Sequence, residues 1–390
     1  MTKSRPNPRS RAVAVCAPGL EDVCRAELAG LGIKPKSGGP GAIEFDANAR
    51  QIYLANVWLR TASRVLVRVA QFRATDFRHL QDGAGAIDWD EWIPDGMAPS
   101  FRVTCTDSKL YHTDAIAQRL HQIAGPPSLG EPEQMFVVRI HRNNVTVSAD
   151  SSGDALHHRP WRTEMNAAPL RTTMAAALLD VVGWNREVSL IDPFCGAGTI
   201  VIEAALMAAG IPPGVDRGFA FVDWPNFEPG SWASVAAGIT SRRRDVAVNL
   251  WGSDRDESAV KMAMANAERA GVEDLVSFDT RLVSHLRAAP GPGLIATNPP
   301  YGKRLGDGSV TGLYKRLGAV ARERLPEWDL ALISPDSKLT STCDSALTIK
   351  AKFKHGGLGV RFVHRPPLGA PPSSTNKSDA VADQGEGTKT

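Results

Sequence analysis

Ser189-Leu-Ile-Asp-Pro-Phe-Cys-Gly-Ala-Gly-Thr-Ile-Val-Ile-Glu-Ala-Ala205 is the stretch that decides the fold. Its first residues are apolar and suit a strand, Gly196 and Gly198 permit a tight turn, and the residues from Thr199 towards Ala209 suit a helix. Glycine has no Cβ, so the backbone can approach a ligand closely there, and the new helix points its free N–H groups at that ligand. The stretch predicts a strand, a glycine turn and a helix, an arrangement that many nucleotide-binding folds share.

The chain around this stretch alternates strands and helices from about residue 165 onwards. The predicted strands are Leu190–Phe194, Leu250–Ser253, Leu275–Phe278, Leu294–Thr297 and Leu330–Ser334, with closing strands in Ile349–Val363; the predicted helices are 168–182, Thr199–Ala209, Glu257–Ala270 and Leu313–Leu325. Alternating units of this kind build a doubly wound, mostly parallel sheet, whose ligands bind beyond the carboxyl ends of the strands. Residues 211–246, rich in Pro, Gly and Trp, interrupt the pattern as an insertion.

A second informative stretch, Ala296-Thr-Asn-Pro-Pro-Tyr-Gly302, follows another predicted strand. The segments DPFCGAGT (192–199) and NPPY (298–301) together resemble the class I S-adenosylmethionine (SAM)-dependent methyltransferases that act on exocyclic amino groups of nucleobases. The resemblance implies a Rossmann-like α/β domain with SAM as its cofactor.

The NPPY segment suits the methylation of a conjugated amine. The nitrogen lone pair of such an amine is delocalised into the ring, so the site must accept hydrogen bonds from the NH₂ group and orient it. The Asn298 side-chain carbonyl and the Pro299 backbone carbonyl can accept them, Pro299 and Pro300 stiffen the loop, and Tyr301 offers a face for an extruded base. The reaction is a one-step displacement, so alignment supplies much of the acceleration and no metal is required.

By the same resemblance, the glycine loop and the ends of the next two strands surround SAM. Asp254 of GSDRD (252–256) is expected to accept both ribose hydroxyls; Asp256 is the second candidate, and a helix N-cap is the alternative role for either. Cys195 is expected to be a small buried residue and not a nucleophile. The predicted cofactor-binding residues are Asp192, Phe194, Cys195, Gly196, Ala197, Gly198, Thr199, Asp254, Arg255, Arg281 and Leu282.

One position departs from the family pattern. The family usually places an acid after the third strand to bind the adenine amine of SAM, and Leu282 occupies that position here, with Asp279 about three residues earlier. Adenine is therefore expected to be bound through the backbone at Arg281 and Leu282, or else cofactor binding is weakened.

The segment from residue 12 to about 160 mixes predicted strands and helices and forms an α+β module. APGLEDVCRAEL (17–28), WLRTASRVLV (58–67), the helix led by His112 and the DSSG segment (150–153) resemble the N-terminal half of THUMP-containing RNA guanine-N2 methyltransferases. That resemblance covers roughly residues 12–365. It implies a ferredoxin-like region followed by a THUMP-like RNA-binding core at about 50–150, and a methyltransferase domain at 165–365.

Basic residues at two places are candidates for RNA contact. Arg159 and Arg162 lie in the basic and aromatic segment 157–162, which either contacts RNA, packs under the SAM site, or is a solvated linker. Lys303 and Arg304 follow the NPPY motif and either hold a phosphate beside the flipped nucleotide or form a solvated loop. The continuation GKRLG (302–306) resembles guanine-N2 RNA enzymes more than DNA adenine-N6 enzymes.

Composition restricts the remaining possibilities. The 390 residues carry a net charge of only +3, with 43% hydrophobic and 22% charged residues, so any RNA-binding face is local. The five cysteines are scattered without a CxxC pair, which disfavours metal clusters and disulfides and fits a reducing cytoplasm. No apolar run approaches membrane-spanning length. We expect a monomer with basic residues 1–11 disordered, or acting as a phosphate-binding arm, and with residues 366–390 disordered.

The sequence thus predicts an RNA methyltransferase that forms N2-methylguanosine in ribosomal or transfer RNA. Two alternatives stay open, a DNA adenine-N6 methyltransferase and a non-catalytic RNA-binding assembly factor. A nicotinamide-dependent oxidoreductase is disfavoured because DPFCGAGT lacks the third glycine of GxGxxG.

Overall fold

The computed structural model describes residues 9–163, 170–287, 290–301, 307–355 and 357–369. Two seven-stranded sheets form within these ranges, one on each side of residue 160. The predicted tails lie largely outside the described residues, although the first strand already begins at Ser10, inside the predicted N-terminal tail.

The N-terminal sheet has the order β2-β3-β1-β4-β7-β6-β5. Its strands are β1 Ser10–Val15, β2 Pro35–Ser37, β3 Ala42–Ala47, β4 Arg64–Arg73, β5 Ala98–Thr106, β6 Glu133–His141 and β7 Asn144–Asp150, and its helices are α1 Glu21–Gly30, α2 Ala49–Trp58, α3 Phe77–Gly85 and α4 Thr113–Ala124. The strand β4 pairs with β1 on one side and with β7 on the other, which makes the sheet continuous across the predicted ferredoxin-like and THUMP-like regions. The predicted α+β class is therefore confirmed.

The C-terminal sheet has the order β10-β9-β8-β11-β12-β14-β13. Its strands are β8 Ser189–Asp192, β9 Leu250–Asp254, β10 Val276–Thr280, β11 Gly293–Thr297, β12 Trp328–Ser334, β13 Thr348–His355 and β14 Leu358–Arg365, and its helices are α5 Thr172–Val181, α6 Thr199–Ala208, α7 Pro229–Ser241, α8 Glu257–Arg269, α9 Asp307–Glu323 and α10 Ser337–Cys343. Strands β8 to β12 run parallel, and β14 and β13 close the sheet antiparallel. The carboxyl ends of β8, β9, β10 and β11 thus lie along one edge, as the predicted doubly wound class requires.

Helix α6 lies in the centre of this domain and is buried along its whole length. Residues such as Ile200, Val201 and Leu206 pack with α5, β8 and β11 in one apolar core. An all-round apolar helix of this kind belongs to a domain interior. Its position places the preceding glycine turn at the carboxyl edge of the sheet.

The predicted insertion, residues 211–246, packs against the N-terminal domain. Phe221 stacks on Tyr53 of α2 with ring centroids 4.2 Å apart, and Trp232 of α7 meets Phe221 edge-on at 5.4 Å. The Tyr53 hydroxyl accepts a hydrogen bond from the Glu228 backbone N–H at 3.0 Å. The insertion therefore fixes the N-terminal domain against the C-terminal one through an aromatic cluster.

Candidate active site

The glycine turn adopts the conformation for which its sequence is suited. Gly196 and Gly198 have φ values of +52° and +81°, in the left-handed region, and Gly198 is the N-cap of α6. A Cβ on Gly198 would lie 3.0 Å from the Ala263 Cβ and 3.1 Å from the Phe278 ring. Both the backbone conformation and the packing therefore require glycine at position 198.

Asp192 ends β8 and is almost fully buried. Its Oδ1 accepts hydrogen bonds from the Thr297 hydroxyl at 2.5 Å and from the Phe194 N–H at 3.0 Å. Burial raises the pKa of the Asp192 carboxyl to about 7, against the lowering effect of those two donors. The same carboxylate thus shapes the glycine turn and joins the strand that carries it to β11.

Asp254 ends β9 and binds the glycine turn from the side. Its carboxylate accepts hydrogen bonds from the Gly196 N–H at 3.1 Å and from the Asp256 N–H at 3.0 Å. Asp256 is the N-cap of α8, where its side chain accepts from the N–H and the hydroxyl of Ser258. The geometry therefore favours Asp254 as the ribose-binding acid, and Asp256 has the helix-capping role.

The other residues of the turn are held by the backbone and by α8. Cys195 is buried, its N–H donates to the Ser253 carbonyl at 3.0 Å, and burial raises the pKa of its thiol well above the usual value. The Ala197 carbonyl accepts a hydrogen bond at 3.0 Å from the side-chain amide of the buried Asn266. These contacts give Cys195 a packing role, as expected from the sequence, and identify Asn266 as a residue that positions the loop.

Asn266 was missed by the sequence analysis, although the sequence contains a signal for it. It lies on the face of α8 that also carries the buried residues Ala259 and Ala263, at helical spacing. A polar amide on an apolar face needs partners. Arg269 donates to the Asn266 Oδ1 at 2.6 Å and to the Trp161 carbonyl at 3.1 Å, which connects the cofactor loop to the interdomain segment.

A cavity of about 560 Å³ opens beside Asp254, at the carboxyl ends of β9 and β10. It is lined by Arg255, Thr280, Arg281, Leu282, His285 and Arg287. The Arg281 N–H donates to the Asp254 carbonyl at 2.7 Å, and the Leu282 side chain is 51% exposed. This position next to the ribose-binding candidate suits the adenine of SAM, with Leu282 as an apolar wall.

Asp279 does not supply the missing acid of this cavity. Its Oδ2 accepts from the Trp251 indole N–H at 2.9 Å and pairs with the Arg281 guanidinium at 3.2 Å. Adenine recognition through the backbone at Arg281 and Leu282, the first of the two sequence-based possibilities, stays a prediction.

The NPPY segment begins directly after β11, the strand that pairs with β8. The Oδ1 of Asn298 is buried and has no hydrogen-bond partner in the described structure. Pro299 is buried, Pro300 is exposed, and Tyr301 is half-buried, with its pKa raised by burial. Neighbouring strands lie about 4.8 Å apart, so the loop that begins at Asn298 and the glycine turn follow adjacent strands at the same edge of the sheet.

The predicted RNA-contact residues divide into two groups. Lys303 and Arg304 lie outside the described residues. Arg159 is buried, and its guanidinium donates to the Glu203 carboxylate at 3.0 Å, to the Leu156 carbonyl at 2.5 Å and to the Arg60 carbonyl at 3.0 Å. The RNA-contact prediction for Arg159 is therefore corrected, because its guanidinium is committed to protein groups.

Arg162 lies next to this buried ion pair. Burial lowers the pKa of its guanidinium to about 10, and its Nε is buried without a hydrogen-bond partner in the described structure. Arg159 thus packs between the two domains, a role outside the three alternatives for residues 157–162, whereas a role of Arg162 in RNA binding stays a prediction.

Membrane-spanning helices and metal sites are both absent from the described part of the chain. No helix in the described ranges has both the length and the apolar character needed to cross a membrane. Across the same ranges, no group of three or more His, Cys, Asp or Glu side chains is arranged to hold a metal ion.

Comparisons with known proteins agree with the two-domain fold described above. The family model described as RMKL-like, methyltransferase domain, matches residues 159–363, just over half of the chain, and the model of the RlmL ferredoxin-like domain matches residues 11–66. A putative RNA methyltransferase, YpsC of Bacillus subtilis strain 168, is 33% identical, over 88% of this chain and 92% of its own length.

A longer relative and a solved structure are also similar. The ribosomal RNA large subunit methyltransferase K/L of Marinomonas sp. strain MWYL1 is 30% identical over 94% of this chain, which spans 53% of that relative. The crystal structure of SMU.472, a putative methyltransferase complexed with SAH, aligns with a TM-score of 0.82 at 29% identity, over 93% of this chain and 99% of that one. The chain belongs to the RMKL-like methyltransferase family, with an N-terminal ferredoxin-like module and SAM as its cofactor.

Proposed function

We propose that this protein transfers the methyl group of SAM to the exocyclic N2 of a guanosine in ribosomal RNA of the large subunit. The observation that carries the proposal is the buried, unpartnered Oδ1 of Asn298 at the end of β11, beside the glycine turn. A buried acceptor without a donor is costly, so a ligand donor is expected to fill the position.

An exocyclic amino group is a donor of the required kind. The Asn298 Oδ1 and the Pro299 carbonyl accept its two hydrogens, which localises the nitrogen lone pair and directs it at the methyl carbon. The bound cofactor supplies that carbon as an electrophilic sulfonium methyl group. Two adjacent prolines limit the movement of the loop, so the acceptors keep their positions during the transfer.

Several observations support RNA as the substrate. The relatives that match most of the chain are named as RNA methyltransferases, and a longer one as a ribosomal RNA enzyme. The match of residues 11–66 to the RlmL ferredoxin-like domain supports a nucleic-acid module ahead of the catalytic domain. The choice of guanine N2 over adenine N6 rests on the resemblance of residues 302–306 to guanine-N2 enzymes.

The test is methyl transfer with isotope-labelled SAM to three separate substrates, which are large-subunit ribosomal RNA, transfer RNA and duplex DNA. Digestion to nucleosides and mass spectrometry should give labelled N2-methylguanosine from the ribosomal RNA. Labelled N6-methyladenosine in DNA would overturn the proposal in favour of the DNA enzyme. Absence of transfer together with absence of SAM binding in calorimetry would favour the non-catalytic assembly factor.

A further inference from the structure

The cavity beside Asp254 has a basic rim that the cofactor does not explain. The basic side chains on its lining are the guanidinium groups of Arg255, Arg281 and Arg287 and the imidazole of His285, and no carboxylate of the described residues belongs to the lining. SAM carries one carboxylate against an ammonium and a sulfonium group, and its adenosine half is uncharged. Binding of the uncharged adenosine half of SAM does not require several cationic side chains.

The nearby acids compensate only part of this charge. Asp279 pairs with Arg281 at 3.2 Å, and Asp256, which lies next to Arg255, is engaged by Ser258. Arg287 is exposed and forms no ion pair with any carboxylate in the described part of the chain. Arg287 thus supplies a positive charge to the rim that is not paired with a carboxylate among the described residues.

A further cation from another element lies close to this rim. The exposed Arg324, just past the end of α9, reaches the Leu286 carbonyl with its guanidinium at 3.4 Å, next in sequence to Arg287. Its guanidinium therefore adds positive charge near the Arg287 end of the rim. Among these cations Arg281 is paired with Asp279, and the remaining positive charge fits a polyanionic ligand.

The sheet order gives the separation between the rim and the catalytic loop. Strand β10 precedes Arg281, strand β11 precedes Asn298, and β9 and β8 lie between them. Three strand spacings correspond to roughly 14 Å. Successive phosphates of a stacked strand are about 3.4 Å apart along its axis, so the rim lies about four nucleotides from a base held at Asn298.

We propose that the rim formed by Arg255, His285 and Arg287 binds backbone phosphates of the RNA strand that flanks the target guanosine. The inference rests on the proposed function, because it assumes RNA as the substrate. In this arrangement Leu282 and the Arg281 backbone, on the floor of the cavity, contact the cofactor. The side chains of the rim contact the RNA, including Arg255, which the sequence predicted as a cofactor contact. The RNA strand would then cross the adenine end of the bound SAM and shield it from solvent.

The test compares Arg287→Gln with Lys350→Gln, which removes one charge from an exposed position of β13, the opposite edge strand of the same sheet. Arg287→Lys keeps the charge and serves as the rescue variant. For each variant, the Kd of a fluorescently labelled single-stranded RNA is measured over a range of salt concentrations, and the Kd of SAM is measured by calorimetry.

The expected result for Arg287→Gln is a salt dependence of log Kd that is shallower by about 0.7, the value for one lost phosphate contact on a single strand. SAM affinity should stay within about twofold of wild type, and Lys350→Gln and Arg287→Lys should keep the wild-type slope. A wild-type slope in Arg287→Gln, or weakened SAM binding without a change in slope, would overturn the inference. Methyl transfer to RNA by the wild-type protein is measured separately, so a failure of the proposed function is distinguished from a failure of the rim assignment.

Discussion

The Thr297 hydroxyl donates a 2.5 Å hydrogen bond to the Asp192 carboxylate, and both side chains are buried. Asp192 ends the strand that leads into the glycine turn, and Thr297 ends the neighbouring strand that leads into Asn298. This bond therefore fixes the cofactor loop and the catalytic loop relative to each other at the point where the two strands end.

Replacement of Thr297 by Val keeps the shape of the side chain and removes the donor. We expect the variant to fold and to lose methyl transfer by about tenfold or more, because a buried acceptor left with one donor fewer costs about 1–3 kcal/mol and loosens the loop geometry. The measurement is the initial rate of transfer at saturating SAM. Thr297→Ser, which keeps the hydroxyl, is the control, and equal rates in the Val and Ser variants would contradict the role of this bond.

Asp192 also predicts a pH dependence of stability. Its folded-state pKa is raised to about 7, so the native state binds the proton more tightly than the unfolded chain does. The resulting stabilisation is fully present below about pH 4 and is lost as the pH rises through about 7. The unfolding free energy of wild type minus that of Asp192→Asn should therefore fall as the pH rises from about 4 to about 7, by an amount on the order of 4 kcal/mol. Urea unfolding of both proteins across this pH range measures the free-energy difference. A difference that does not change with pH would refute the raised pKa of Asp192.

Asn298→Ala removes the unpartnered acceptor without touching the cofactor loop. We expect SAM affinity within about twofold of wild type and transfer reduced by about 100-fold or more, the range found when one stabilising contact in a reaction site is lost. Calorimetry with SAM and single-turnover rates measure the two effects. Asn298→Asp, which keeps an acceptor oxygen, should retain more activity than the Ala variant; full activity in Asn298→Ala would remove Asn298 from the mechanism.

The sequence predicted the elements whose signals are local. The glycine turn at Gly196 and Gly198 and the strand ahead of Asn298 were found because turn chemistry and apolar runs lie within a few residues. The misplaced residue, Arg159, has its partner Glu203 44 positions away, and its contact with Arg60 spans 99 positions. The sequence around a linker arginine does not indicate a partner so far along the chain. An arginine of a buried interdomain ion pair therefore cannot be distinguished from a solvent-exposed arginine by local sequence.

Helix α3, Phe77–Gly85, lacks a strong local signal, since it contains Gly83 and ends at a second glycine. Glycine lowers helix propensity by about 1 kcal/mol, so local preference disfavours a helix there. The helix forms nevertheless because Leu80 and Ala84 are buried in the N-terminal core, and the Gly83 position lies against the Phe72 ring, where a Cβ would meet ring atoms at 2.3 Å. Tertiary packing thus overrides the local preference of this segment, and the contacts responsible are not visible in the sequence.

Leu282→Ala tests how adenine is bound without the usual acid. The Leu282 side chain is half exposed in the cavity, and covering it with a flat base would bury apolar surface worth about 1 kcal/mol. SAM binding should therefore weaken about fivefold. Met264→Ala, a truncation of an exposed side chain on α8 away from the cavity lining, is the control. An unchanged Kd in Leu282→Ala would leave adenine recognition to the backbone at Arg281 alone.

The protein contains a buried ion cluster between its domains and an exposed ion pair on α8. Loss of the buried carboxylate should destabilise the fold much more than loss of the exposed one. Glu203 on α6 is fully buried and accepts from Arg60 of the N-terminal domain at 3.3 Å and from Arg159 at 3.0 Å; Arg60 also donates to the carbonyls of Leu206 and Ile211. Glu203→Ala leaves two buried cations without their carboxylate, so it should destabilise the protein by about 3–5 kcal/mol. Removal of Glu257 from its exposed pair with Lys261 on α8 should change little, because solvent screens that pair. Thermal unfolding of both variants measures the contrast, and equal midpoints would show that the domains are held together by the aromatic cluster around Phe221 and not by these charges.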